Sequence, residues 1–193
     1  MTQNVTTEII NKSGKCQGHR GTMPTRAKQL KQVFPRRRIH RAFLRWLSEM
    51  QPYLATPLRI ASRTDRCIEL CFPDKTASLR IYLTTWEIVV AVEHEGKCWD
   101  LLADFDAIAT RVPAGYICKL CDPKAATIYP SREALWTGEI FNPFGDWING
   151  VLSKAHAIAI YQDEGTTWAE LISQEALPNH PDATHLIPIN VTA

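Results

Sequence analysis

Five arginines and two lysines, Lys28, Lys31, Arg36, Arg37, Arg38, Arg41 and Arg45, crowd one short stretch of this chain. Guanidinium groups bind phosphate through two parallel hydrogen bonds and keep their charge at any accessible pH. Arg37, Arg41 and Arg45 recur every fourth residue, so on a helix they form one ridge. The chemistry this predicts is polyanion recognition, with His40 and Trp46 among the arginines as groups that could stack or hydrogen-bond. The charge of the whole chain supports it. Residues 1–50 hold eleven Lys/Arg against Glu8 and Glu49, a net of +9, which leaves −7 for residues 51–193 of a chain whose total is +2. Such a split predicts a polyanionic partner for the front segment and a separate acidic body behind it.

The cysteines are the second group with chemical potential. Cys118-x-x-Cys121 has the spacing of a zinc knuckle or a redox dithiol. Cys67 and Cys71 lie four apart, and in a regular strand their attachment points would be about 13 Å apart. That opposes shared coordination, so no metal site is assigned. Cys16, Cys98 and the rest read as reduced, mostly buried thiols, because free cysteine is among the most buried residue types. Glu93, Glu95, Asp100, Asp104 and Asp106 cluster without regular ligand spacing and read as solvated turns. Neither a G-x-S-x-G elbow nor a phosphate-binding glycine loop occurs. No cofactor is expected.

These side chains must be carried by a folded body. Hydrophobic content of 45% is that of a globular protein. Residues 1–24 are polar and glycine-punctuated and read as a flexible arm. Residues 25–177 read as one α+β domain, and 178–193, with three prolines, as an irregular tail. A short helix is expected over 26–34. A second is expected over 36–51, where Ile39, Phe43, Trp46, Leu47 and Met50 make an apolar stripe. Alternating residues then predict about five strands joined by short turns, an antiparallel meander over 58–103. Asn142 is expected to cap an amphipathic helix with Pro143 at its first position. Its stripe would be Phe144, Trp147, Ile148, Val151, Leu152 and Ala155, with Trp147 and Leu152 at the centre of the core. A closing hairpin is expected around Asp163-Glu164-Gly165.

The order helix, antiparallel meander, cysteine-bearing segment and helix, together with Pro113-x-Gly115-x-x-Cys118, resembles ubiquitin-conjugating enzymes. That resemblance implies a thioester-forming Cys118. The His-Pro-Asn signature of that family is absent from the chain.

The function expected is therefore a non-enzymatic accessory protein. It would dock nucleic acid or a ribonucleoprotein through Lys28, Lys31, Arg36, Arg37, Arg38, Arg41 and Arg45, and proteins through its acidic body. A protein-only adaptor or inhibitor that binds an acidic surface, and an enzyme using Cys118, are the alternatives. The first residues lack an apolar core, so no signal peptide is expected, and no run is long enough to span a bilayer. The expected location is the cytoplasm.

Overall fold

The computed structural model describes residues 37–64, 67–84, 87–119, 126–176 and 181–191. Lys28, Lys31, Arg36, Cys121, the arm and the helix expected over 26–34 fall outside them. The fold is α+β. Helix α1 spans Arg37–Met50 and runs through a 3-10 turn, Gln51–Tyr53, into five strands. These are β1 (Arg59–Arg63), β2 (Cys67–Cys71), β3 (Ser78–Leu83), β4 (Glu87–His94) and β5 (Lys97–Asp106). A small hairpin follows, β6 (Ala109–Val112) and β7 (Gly115–Cys118). Helix α2 (Arg132–Trp136) passes through a π-helical turn, Thr137–Phe141, into α3 (Asn142–Gly150). The chain closes with β8 (Ala155–Asp163), β9 (Thr166–Ser173) and β10 (His185–Pro188).

The expected five-strand meander is not the architecture. β1 to β5 follow one another antiparallel, but they are part of an eight-stranded mixed sheet, ordered β1-β2-β3-β4-β5-β9-β8-β10. The β8–β9 hairpin joins that sheet through a parallel contact of β9 with β5, Asp100 facing Trp168 and Leu101 facing Ala169. β10 comes from the segment expected to be irregular. No local pattern marks a four-residue strand that ends on a proline, and Pro188 is tolerated because β10 is an edge.

Alternation puts Ile68 and Leu70 of β2, Leu79 and Ile81 of β3, Val90 and Val92 of β4, and Ile158 and Ile160 of β8 into one core. The helices pack into the same core through Ile39, Phe43 and Leu47 of α1, Leu135 of α2, and Phe144 and Ile148 of α3. The sheet curls around them. Pro188 pairs with Ala157 at one edge, yet two residues later the Asn190 N–H donates to Asp74 Oδ2 at 2.8 Å, in the turn between β2 and β3. In a flat sheet β3 and β10 would lie five strand spacings apart, about 24 Å, and two residues span only about 7 Å.

The third helix departs from its expected form. Asn142 does not cap it: its backbone is helical, because the π turn runs directly into α3. Its side chain instead accepts from Trp46 Nε1 at 3.2 Å. The helix stops at Gly150, and a 3-10 turn, Leu152–Lys154, delivers Ala155 to β8. Phe144, Ile148, Leu152 and Ala155 are buried as the stripe required, but Trp147 is only partly buried and Val151 is 48% exposed.

Candidate polyanion-binding face

Helix α1 has fourteen residues, about 21 Å of length. Ile39, Ala42, Phe43, Trp46 and Leu47 are buried, and Arg37, Arg38, Arg41 and Arg45 are exposed. Aromatic packing fixes the orientation. The Phe43 ring lies 5.4 Å from Phe141 and 5.6 Å from Phe144, and Trp46 lies 5.8 Å from Phe141. Gly145 is what lets α3 approach so closely, since a Cβ there would sit 3.1 Å from the Trp46 ring. His40 and Trp46 face inward, 8% and 5% exposed. The expectation that they stack on a ligand is corrected, because both fall on the stripe that the core claims.

The arginines divide into two kinds. Arg45 forms an ion pair with Glu133 of α2, and Arg38 lies 3.8 Å from the same carboxylate. Arg41 Nε donates to the Arg37 carbonyl at 3.4 Å, and no acid pairs with Arg37 or Arg41 among the described residues. Among the described residues, the four cations of this helix thus meet a single carboxylate, and all four side chains are exposed.

The sheet face away from the helices brings together polar groups that the sequence pattern alone did not connect. Glu69 Oε2 accepts from Ser62 at 2.7 Å and its Oε1 from Ser78 at 3.0 Å, while Gly96 N–H donates to Glu93 Oε1 at 2.8 Å. Tyr82, Val89 and Ala91 are buried there, with Cys67 and Cys98 packed against them. Burial pushes both thiols up to about 12, with Arg80 opposing it. At neutral pH they are protonated, and a thiol is a weak ligand and nucleophile. Arg80 is pushed up as well, which keeps it charged. Burial disfavours its charge, but Cys98, Tyr82, Glu93 and Cys67 around it outweigh that and raise its pKa. The period-2 pattern held the signal for this face, since Cys67, Glu69 and Cys71 alternate with Ile68 and Leu70, and Arg80 and Tyr82 with Leu79 and Ile81. Glu93 and Asp100 therefore lie on strands, not in solvated turns.

Cys118 ends β7 and is 3% exposed, packed in the core shared with the helices. Pro113 and Ala114 make the turn of the β6–β7 hairpin, and Gly115 holds φ +150 where a Cβ would overlap the Tyr129 carbonyl. The Pro113-x-Gly115-x-x-Cys118 pattern is thus answered by a tight turn and a core cysteine. Among the described residues no three His, Cys, Asp or Glu side chains converge as a metal site, and no helix is long and apolar enough to cross a membrane. Comparison with known proteins finds no family model, curated protein or solved structure that matches this chain.

Proposed function

We propose that this chain is a non-enzymatic docking protein that engages a polyanion, a nucleic acid or ribonucleoprotein, through the outward face of α1. One observation carries the reading. Arg37 and Arg41 are exposed, adjacent on a helix whose other side is locked into the core, and without an acidic partner among the described residues. A helix held in place presents its guanidinium groups without the entropy cost of ordering a flexible segment. Lys28, Lys31 and Arg36 precede the helix in sequence and extend the same charge. The acidic body remains for protein contacts.

The pairing of Arg38 and Arg45 with Glu133 favours one other reading, since it shows these arginines meeting a carboxylate. A protein with an acidic surface would then be the partner of α1. Fluorescence anisotropy with single- and double-stranded DNA and RNA probes at low salt separates the two. Binding with micromolar or tighter affinity supports the nucleic-acid reading. No binding to any probe overturns it.

A further inference from the structure

The end of the sheet farthest from β1 is electrically one-sided. Residues 155–193 contain five acids, Asp163, Glu164, Glu170, Glu175 and Asp182, and no lysine or arginine. β8, β9 and β10 come from this segment and lie side by side. Ile158, Ile160 and Ala169 point into the helix-side core. By alternation and register, Tyr161 of β8 and Trp168 and Glu170 of β9 point to the opposite face. Helices α1, α2 and α3 pack on the other side.

On this face Tyr161 and Trp168 are directly opposed across the hairpin and stack, ring centroids 5.5 Å apart and planes 16° from parallel. Both remain partly exposed. Trp168 Nε1 donates to Glu170 Oε1 at 3.3 Å, which places a carboxylate beside the indole. Tyr161 feels the same field: burial, then Glu170 and Asp182, raise its hydroxyl pKa. A cross-strand aromatic pair stabilises a hairpin by itself, but that role needs neither the carboxylates nor the absence of every lysine and arginine from three adjacent strands. Aromatic pairs also receive nucleic-acid bases, yet a phosphate backbone would be repelled here. Electron-rich ring faces beside carboxylates are the chemistry that holds a cation.

We propose that the outer face of the β8–β9 hairpin binds a cationic segment of a partner protein, with a lysine or arginine side chain lying on the Tyr161/Trp168 pair and Glu170 and Asp182 neutralising its charge. The proposal deepens the protein-contact half of the reading above and does not depend on what α1 binds.

The test uses the full chain and two labelled decapeptides, one rich in arginine and lysine and one rich in glutamate. The cationic peptide is expected to bind at least tenfold more tightly than the acidic one. Glu170→Gln should weaken it about fivefold and Glu170→Gln/Asp182→Asn at least tenfold. Trp168→Leu should weaken it at least tenfold, with circular dichroism confirming the fold. Should Trp168→Leu fail to fold, the two carboxylate variants carry the test alone. Arg37→Ala/Arg41→Ala should leave peptide affinity unchanged, so a failure of the α1 reading and a failure of this one are distinguishable. Equal binding of both peptides, or unchanged affinity in the carboxylate variants, overturns the proposal. Self-association that both Glu170→Gln and Arg37→Ala/Arg41→Ala abolish would assign the face to a second copy and overturn the partner assignment.

Discussion

Helix α1 and the β8–β9 hairpin are built on the same plan and carry opposite charge. Each buries one side in the common core and presents the other outward. α1 shows Arg37, Arg38, Arg41 and Arg45; the hairpin shows Asp163, Glu164 and Glu170 without a cation. Opposite charges on one chain would be expected to pair, yet the body meets the α1 arginines through one carboxylate of the described residues, Glu133, which belongs to α2. Among the described residues, then, the α1 arginines meet the body's acids only at Glu133, and the hairpin's carboxylates take no part in that pairing. Burial sets where each surface sits, and in the proposed reading the outward charge is what partners would meet.

The largest effect should come from removing the packing that aims α1. Phe43 contacts Trp46, Phe141 and Phe144 and is fully buried. Phe43→Ala should cost about 3–5 kcal/mol, read as a large fall in Tm, and polyanion affinity should fall with it. Retained stability would mean that α1 is not anchored as described. Next comes Gly115→Ala. Its φ of +150 and the Tyr129 carbonyl leave no room for a Cβ, so about 1–3 kcal/mol should be lost by chemical denaturation, with α1 contacts unaffected.

Asp74 should contribute less, and in a pH-dependent way. Burial raises its pKa, but hydrogen bonds from Thr76 N–H, the Thr76 hydroxyl and Asn190 N–H outweigh this and lower it. A carboxylate whose pKa is lowered on folding stabilises the fold above its unfolded pKa. That contribution disappears as pH falls through the folded value. Asp74→Asn should therefore lower Tm at pH 7 by an amount worth under about 1 kcal/mol and leave a smaller Tm loss between pH 7 and pH 3 than the parent shows. The smallest effect on stability belongs to Glu133→Gln, within about 0.5 kcal/mol because surface ion pairs contribute little. It should nonetheless raise polyanion affinity two- to fivefold by releasing Arg38 and Arg45. Unchanged affinity would sever the helix from the binding reading.

Much of the α+β content was legible because it is local. Helix α1 follows from its stripe, and Glu95-Gly96 and Glu164-Gly165 turn their hairpins with positive φ at both residues, as such turns require. What could not be read is what sequence-distant groups decide. The parallel contact of β5 with β9 joins residues almost seventy positions apart and leaves no periodic trace. The π turn at Thr137–Phe141 absorbs the Asn142 cap and ends on Phe141, whose ring packs against Phe43 of α1. At the candidate site the arginines were legible by type and spacing, while Glu133 as the partner of Arg38 and Arg45 depends on how α2 docks. Tyr161 and Trp168 alternated visibly within a hairpin that was expected, but their stacking needs the exact register.

The central claim is that α1 binds polyanions through charge left outward, and salt dependence measures it most directly. Each phosphate neutralised on duplex DNA steepens the fall of log K against log salt by about 0.9. If about five are met, the parent slope should be roughly −4 to −5, and Arg37→Ala/Arg41→Ala should flatten it by about 2 without lowering Tm. An unchanged slope in that variant, or a parent affinity that does not respond to salt, would contradict the account.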